Sequence, residues 1–267
     1  MKKIIFILLI ILIASCKKEV FSPDLTKEFS ILSTSNGAKY NIRVAVPQDY
    51  SPETQKYATI YVLDGEENFN FVAENCNKLS SDFSTPNVLV VSIGYGNDRA
   101  IDYTPVNGGG GAVNGGGGAE NFMLFIKNEL IPEMENEYGA DSLRKNRTIL
   151  GHSFGGLFGA YAFTNYNKVF GNYILLSPSL WYANEIVFKF EQEHRNINKN
   201  NHQLVFLGMG EMENGGQMLA PFVAFFQQLQ NNYPDIKITS HLEPQLNHRG
   251  SENPNIIEGL KFYFQNR

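Results

Sequence analysis

The stretch RTILGHSFGGLFGAYAF, residues 147–163, says most about how this chain folds. It opens with a short apolar run typical of a buried strand, and a helical pattern begins after Gly156. Between the two lies Gly151-His152-Ser153-Phe154-Gly155, a G-x-S-x-G pattern at a sharp turn from strand to helix. A serine in such a strained turn projects its hydroxyl from the sheet edge, and the glycines remove side chains that would clash there. We therefore predict that Ser153 is a nucleophile.

The same turn offers a hydrogen-bond donor beside this serine. The backbone N–H of Phe154 lies at the start of the helix, where unpaired N–H groups favour negative charge. A second donor should come from the loop after an earlier central strand. The segment YATIYVLDGEENF ends a strand at Leu63 and turns at Asp64 and Gly65, so we expect the N–H of Glu66 to be that donor.

A serine nucleophile needs a base, and the base needs an acid that orients it. Among the five histidines, His248 follows the last predicted strand in a loop ahead of the final helix, where the carboxyl end of a sheet delivers such a base. The acid should follow the preceding strand, where the sequence offers Glu211 and Glu213. We favour Glu213, keep Glu211 as the alternative, and leave open a Ser–His pair without an essential acid.

The rest of the chain alternates strands with helices. Short apolar runs, typical of strands buried on both faces of a parallel sheet, lie at 57–63, 87–93, 147–150, 172–176 and 203–208, with a more alternating run at 235–242. Two alternating runs at 28–34 and 40–46 predict an antiparallel hairpin. Helical patterns occupy 67–79, 119–138, 155–166, 217–232 and 254–265. This order predicts an α/β domain with a mostly parallel sheet of about eight strands, opened by the hairpin and covered by helices on both faces.

The N-terminus indicates export. The segment MKKIIFILLIILIASC has two lysines followed by an apolar run too short to span a membrane. Its ending, Ile13-Ala14-Ser15-Cys16, resembles a bacterial lipobox, which implies cleavage before Cys16 and a lipid on its sulfur. We expect a lipoprotein signal peptide at 1–15, a lipidated tether at 16–28 and the folded domain at 29–267. The acyl chains would then hold the protein at a membrane of the cell envelope, on the periplasmic face or at the cell surface.

Composition argues against several function classes. A formal net charge of −5 argues against nucleic acid as a partner. Cys76 is the other cysteine of the chain and lies in a helical apolar pattern, which predicts a small buried hydrophobe. No second cysteine or histidine is spaced to bind a metal with it, so we expect neither a metal nor a cofactor. The oligomeric state stays open.

Several blocks of the chain resemble a known family. YVLDGEENF, ILGHSFGGLFGAYAF, NHRGS and Asp102-Tyr103-Thr104-Pro105 resemble the Fes/esterase-D-type branch of the α/β-hydrolases, which includes esterases of trilactone siderophores. The resemblance covers about residues 28–265. It implies the α/β-hydrolase fold and hydrolysis of carboxylic esters through an acyl-serine, and the order Ser153, Glu213, His248 agrees with that superfamily. The implied substrate is a siderophore trilactone or, alternatively, an acetyl or feruloyl ester of a carbohydrate.

Further residues are candidates for the substrate pocket. Trp181 and Tyr182 should follow the carboxyl end of a central strand, where aromatic rings can line an acyl or sugar pocket. Ordinary loop packing explains this pair equally well. Arg99 and Arg249 lie in loops near the predicted site. A hypothesis from another class is a non-catalytic surface lipoprotein that binds a glycan or an iron chelate.

A glycine-rich repeat separates two of these blocks. VNGGGGA occurs at 106–112 and again at 113–119. It lacks the Gly-Lys-Ser/Thr ending of a P-loop and does not follow a strand directly, so it does not predict a phosphate site. We predict instead a mobile flap at the active site, with the second copy a tandem duplication that glycine tolerates.

Overall fold

A single mixed sheet runs through the protein. The computed structural model describes residues 25–108, 115–214 and 217–267, and in these ranges eight strands are present. They are β1 (Thr26–Leu32), β2 (Lys39–Ala45), β3 (Ala58–Val62), β4 (Val88–Ile93), β5 (Arg147–His152), β6 (Asn172–Leu176), β7 (Gln203–Gly210) and β8 (Ile236–Glu243). Their order across the sheet is β1-β2-β4-β3-β5-β6-β7-β8. β2 pairs antiparallel with β1 and with β4, and every other pairing is parallel.

Helices cover both faces of this sheet. They are α1 (Gly65–Asp82), α2 (Arg99–Tyr103), α3 (Ala119–Phe125), α4 (Ile131–Glu137), α5 (Phe154–Asn165), α6 (Tyr182–Asn198), α7 (Leu219–Asn232) and α8 (Glu252–Asn266). On β3, Ile60 and Val62 belong to the core under α1 and α8, whereas Tyr61 belongs to the core on the opposite face. Side chains of a strand alternate between faces, and both faces are buried here, so the central strands read as continuous apolar runs. The predicted fold class is confirmed.

Two helices of the structure were not predicted from the sequence. The short α2 and the longer α6 lie outside the segments in which helices are predicted. In α6 the fully buried side is narrow, with Tyr182, Val187, Glu191 and Asn198 buried among seventeen residues. A left-handed backbone at Ala183–Glu185 interrupts its beginning. Ile186 and Phe190 of α6 also pack against the core, so this helix has an apolar side that the sequence-based prediction overlooked.

The predictions for the N-terminus and for the middle of the flap lie outside the described residues, whereas the prediction for Cys76 can be compared with the structure. The signal peptide, including Cys16, and most of the tether lie outside the described residues, as do residues 109–114 of the predicted flap. Cys76 is buried on α1 as predicted, and burial raises the pKa of its thiol well above the usual range. No helix in the described part of the chain is long and apolar enough to cross a bilayer.

Tyr182 binds the start of the glycine-rich loop and lies close to its end. Its hydroxyl donates a hydrogen bond to the carbonyl of Val106 (3.0 Å) and accepts one from the N–H of Gly108 (2.8 Å). A Cβ on Gly116, beyond residues 109–114, would lie 2.9 Å from the same hydroxyl. The loop therefore leaves and returns at one point.

The second copy of the repeat is also bound to the protein. The N–H of Gly117 donates to Oγ1 of Thr104 (2.9 Å), and the N–H of Gly118 donates to the carbonyl of Ile101 (2.9 Å). Gly117 has φ +105°, which side chains other than hydrogen rarely tolerate. Both ends of the duplicated segment thus make contacts that one copy of VNGGGGA could supply.

We predict that a chain with one copy of the repeat folds normally. Deleting 106–112, 113–119 or 109–115 produces the same sequence, because the copies are identical. In that sequence Val106 to Gly108 continue directly into Gly116 to Ala119, so each anchoring residue is kept. Because loop length affects stability only weakly, the melting temperature should change by less than ~3 °C.

The matched control for this deletion is Tyr182→Phe. It leaves the loop length unchanged but removes the hydroxyl that binds Val106 and Gly108, and each lost hydrogen bond should cost ~1 kcal/mol. Thermal unfolding followed by circular dichroism measures both variants. A deletion that destabilises the protein more than Tyr182→Phe would contradict the prediction.

Candidate active site

Ser153 lies in the turn between β5 and α5 with a strained backbone. Its φ and ψ are 60° and −116°, a conformation that residues other than glycine rarely adopt. The turn is fixed by hydrogen bonds on both sides of the residue. The N–H of Ser153 donates to the carbonyl of Leu176 (2.9 Å), and its own carbonyl accepts from the N–H of Ser179 (3.1 Å) and of Leu157 (2.9 Å). The end of β6 thus holds Ser153 in place.

The glycines around Ser153 let strand and helix approach closely. A Cβ on Gly151 would lie 2.5 Å from the backbone of Gly155. A Cβ on Gly156 would lie 2.9 Å from the carbonyl oxygen of Leu176. Neither space can hold even a methyl group, which explains the glycine pattern that the sequence shows.

Ser153 opens onto a cavity of about 620 Å³. Its described lining consists of Ser153, Phe154, Ser179, Trp181, Met212, Glu213, Gln217, Met218, Asn247 and His248. Two of the four apolar side chains are aromatic and two are methionines, and no lysine or arginine belongs to this lining. The predicted nucleophile, acid and base therefore share one cavity, at the carboxyl ends of β5, β7 and β8.

Glu213 and His248 form a short hydrogen bond in the cavity. Oε2 of Glu213 lies 2.6 Å from Nδ1 of His248. Oε1 of Glu213 accepts hydrogen bonds from the hydroxyl of Ser177 (2.7 Å), the N–H of Gly210 (2.8 Å) and the hydroxyl of Ser251 (3.3 Å). The Glu213 side chain is only 3% exposed, so these donors take the place of water around its carboxylate.

These contacts decide the ionisation of the pair. Burial raises the pKa of Glu213. The hydrogen bonds from His248, Gly210 and Ser177 together lower it by more, so the net pKa lies below the ordinary value. Glu213 is therefore ionised at neutral pH and can only accept from Nδ1–H. This fixes the neutral imidazole of His248 as the tautomer in which Nε2 has a free lone pair, as a base requires.

Glu211 makes a different contact. It is exposed, and its Oε2 accepts a hydrogen bond from the N–H of Gln245 (3.0 Å). Both glutamates belong to the 3₁₀ turn Glu211–Asn214 after β7, but only Glu213 reaches the imidazole. The geometry of the structure therefore supports Glu213 over Glu211 as the acid.

His152 connects the two turns of the site. Its Nε2 lies 2.9 Å from the carbonyl oxygen of His248, and the two rings lie 4.5 Å apart. Because a carbonyl only accepts, Nε2 of His152 is protonated. Burial lowers the pKa of His152 by more than the nearby carboxylate of Glu252 raises it, so the net pKa lies below the ordinary value. Sequence reasoning missed this role, since a histidine beside the nucleophile in the chain gives no signal of its contact with a distant loop.

The two predicted oxyanion donors lie at adjoining helix starts. The N–H of Phe154 belongs to the first turn of α5 and the N–H of Glu66 to the first turn of α1, where backbone donors have no partner within the helix. A Cβ on Gly155 would lie 3.2 Å from Oδ2 of Asp64 and 3.4 Å from Cβ of Leu63. The end of β3 therefore lies against the start of α5.

The structure places the four predicted pocket residues in different surroundings. Trp181 lines the cavity, whereas Tyr182 is buried and its hydroxyl binds the glycine-rich loop. Arg99 does not line the cavity either, because its guanidinium is paired with Asp64 (2.5 Å). Arg249 follows His248, is exposed, and forms no ion pair with any described residue. Of the four, Trp181 alone is placed to touch a bound substrate in the described cavity.

The described residues contain no candidate metal site. No group of three or more His, Cys, Asp and Glu side chains in the described ranges could hold a metal ion. The site instead combines a strained serine, an imidazole and an ionised carboxylate, which is the set that nucleophilic acyl transfer uses.

Comparisons with known proteins point to one family. Residues 33–243 match the family model described as "Putative esterase". Ferri-bacillibactin esterase BesA of Bacillus subtilis (strain 168) is 30% identical over 206 residues, which cover 70% of this chain and 70% of that protein. Apo-salmochelin esterase of Escherichia coli O6:H1 is 28% identical over 155 residues, 53% of this chain and 47% of that protein. The crystal structure of the BES protein from Bacillus cereus has a TM-score of 0.78 and 26% identity, and the match covers 90% of this chain and 96% of that one.

We predict that Glu213→Gln abolishes most of the ester turnover and that Glu211→Gln does not. An amide at 213 cannot hold His248 in the tautomer with a free Nε2, and loss of this function should lower kcat by ~10³-fold or more. Glu211→Gln removes a charge two residues away but not the contact to the imidazole. Steady-state hydrolysis of a p-nitrophenyl ester measures both variants, and an equal loss in both would contradict the prediction.

Proposed function

Because this chain belongs to the Putative esterase family and is a carboxylic-ester hydrolase of the serine-hydrolase type, we propose that Ser153, His248 and Glu213 are its catalytic residues and that siderophore trilactones are its substrates. One observation carries the catalytic assignment. Ser153, in its strained turn, shares a cavity with His248, and Nδ1 of His248 is bound by the ionised Glu213.

The first half of the reaction is acylation. Nε2 of His248 takes the proton of the Ser153 hydroxyl while Oγ attacks the ester carbonyl carbon. Glu213 keeps Nδ1–H oriented and stabilises the imidazolium that forms. The tetrahedral intermediate then collapses, the bond to the alcohol oxygen breaks, and His248 returns the proton to the leaving alcohol.

The second half repeats this sequence with water. His248 removes a proton from a water molecule, which attacks the acyl-serine and releases the acid. In both halves the N–H groups of Phe154 and Glu66 donate to the oxygen that becomes negative. These donors and the helix starts behind them are fixed before the substrate arrives, so little reorganisation accompanies the charge transfer.

The proposed substrate class rests on two observations. The similar proteins from Bacillus subtilis and Escherichia coli are named as esterases of bacillibactin and salmochelin, and the chain covers 70% and 47% of their lengths. The cavity beside Ser153 also has the volume and the apolar lining of a small-molecule site, including Phe154, Trp181 and Met218. An aromatic acyl group would bury its ring against these side chains while Gln217 and Asn247 meet its polar atoms.

We predict that Ser153→Ala abolishes hydrolysis. Turnover should fall by at least ~10³-fold, and covalent labelling by a fluorophosphonate should disappear. Ser179→Ala is the matched control, since Ser179 lines the same cavity without lying in the strained turn.

We also predict that trilactones are the best substrates. The kcat/KM for iron-free and iron-loaded catecholate trilactones should exceed that for feruloylated or acetylated glycans by at least ~10-fold.

The alternative outcomes of these labelling and kinetic experiments each lead to a different conclusion. Labelling that persists in Ser153→Ala contradicts the role of Ser153. A higher kcat/KM for a glycan ester than for any trilactone assigns the protein to carbohydrate esters instead. Specific glycan or chelate binding without turnover of any ester would leave the non-catalytic hypothesis in place.

We further propose that the protein is exported and anchored by a lipid on Cys16. The apolar run and the sequence Ile13-Ala14-Ser15-Cys16 support this proposal. Cells grown with radioactive palmitate should label the full chain and retain it with their membranes, whereas Cys16→Ser should lose both the label and the membrane association. A labelled Cys16→Ser variant would contradict the proposal.

A further inference from the structure

The half-buried Arg99 and the buried Asp64 form an ion pair beside the first turn of α5. Nε and Nη2 of Arg99 donate to the two carboxylate oxygens of Asp64 at 2.5 and 2.8 Å, in a fork-like arrangement. Asp64 is 4% exposed and takes the left-handed backbone conformation, with φ 52° and ψ 42°. Residues other than glycine rarely adopt this left-handed conformation, so the contacts around Asp64 must hold its backbone there.

Three residues of one segment hold Asp64. Besides Arg99, the hydroxyl of Tyr95 donates to Oδ1 of Asp64 (2.8 Å), and the N–H of Asp64 donates to the hydroxyl of Tyr103 (3.0 Å). The segment from Tyr95 to α2 therefore fixes both the backbone and the carboxylate of Asp64. Asp64 directly precedes α1, whose first turn contains the N–H of Glu66.

Arg99 reaches the other half of the site as well. Nη2 of Arg99 donates to the carbonyl oxygen of His152 (2.9 Å), one residue before the nucleophile. Its guanidinium carbon lies 5.7 Å from the ring centroid of Phe154 and 5.4 Å from that of Tyr103. One side chain thus joins the turn that holds Ser153 and Phe154 to the turn that holds Glu66.

We propose that Arg99 and Asp64 are positioning residues of the esterase reaction, which set the two oxyanion donors and keep their surroundings electrically neutral. The inference rests on the proposed serine-esterase function and replaces the sequence-based interpretation of Arg99 as a substrate ligand. The fork to Asp64 and the bond to His152 fix the distance between the starts of α1 and α5. The N–H groups of Glu66 and Phe154 then point at one oxygen position.

The charge of Arg99 matters because of where Asp64 lies. Oδ2 of Asp64 would be 3.2 Å from a Cβ on Gly155, so the carboxylate lies against the first turn of α5. Without Arg99 this turn would face a buried negative charge while a second negative charge develops on the substrate oxygen. Like charges at this range repel strongly in a poorly solvated site. With Arg99 in place the pair is neutral.

The test compares Arg99→Gln with the double variant Asp64→Asn, Arg99→Gln. The single variant leaves the carboxylate unpaired, so kcat for a p-nitrophenyl ester should fall by ~100-fold while KM changes by less than ~3-fold. The double variant restores neutrality, and asparagine tolerates the left-handed backbone of position 64. It should recover at least ~10-fold of the lost kcat, a rescue that a purely structural role would not produce.

Two further variants complete the experiment. Arg43→Gln breaks the ion pair between Arg43 and Glu28 on β1 and β2, which lies outside the cavity lining, and should leave kcat unchanged. Arg99→Lys keeps the charge but loses the fork, so its kcat should lie between those of the wild type and Arg99→Gln. Melting temperatures are measured for each variant, and kcat is compared well below the lowest of them.

The inference fails if Arg99→Gln retains wild-type kcat, if the double variant is no faster than the single one, or if Arg99→Lys is as slow as Arg99→Gln. Failure of the catalytic proposal is a separate result, because it would appear in Ser153→Ala with Arg99 and Asp64 intact. A KM that rises more than ~10-fold in Arg99→Gln at unchanged kcat would return Arg99 to substrate binding.

Discussion

The close crossing of β5 and α5 is the constraint on which the site depends. The backbones of Gly151 and Gly155 approach so closely that no side chain fits at Gly151, and the turn between them forces Ser153 into a strained conformation. Such strain costs ~1–3 kcal/mol and persists only when the surroundings hold it. Here the end of β6 does so, through the bonds that Ser153 makes with Leu176 and Ser179. The position of the serine thus depends on two neighbouring strands of the sheet as well as on its own turn.

The parallel sheet brings the remaining residues to the same place. Glu213 follows β7 and His248 follows β8, and the two meet because the carboxyl ends of parallel strands share one edge of the sheet. Helix starts also collect at this edge. Those of α1 and α5 contain the backbone N–H groups of Glu66 and Phe154 that we propose as oxyanion donors. The proposed catalytic arrangement therefore depends on backbone geometry as well as on a few side chains.

The two buried carboxylates around the serine are each held by hydrogen-bond donors. Glu213 is surrounded by hydrogen-bond donors and touches His248, and Asp64 is held by Arg99 and Tyr95. His152 is kept neutral by burial and supports the His248 loop through its carbonyl. Hydrolysis of an ester creates one negative charge on the substrate and one positive charge on an imidazole. The ionised Glu213 lies beside the imidazole of His248, and the proposed backbone donors would meet the negative charge.

From the sequence alone one could predict the strands, because apolar runs buried on both faces have a clear composition, and Ser153, because its glycines record the strand–helix crossing. His248 followed from its place after the last strand. The sequence favoured Glu213 but left Glu211 open, since the two lie in one turn and only the direction of each side chain separates them. Arg99 and Tyr182 were interpreted as pocket residues, whereas the structure ties them to Asp64 and to the glycine-rich loop. Long polar side chains take the partner that folding brings within reach, and Asp64 and Val106 lie 35 and 76 residues away in the chain.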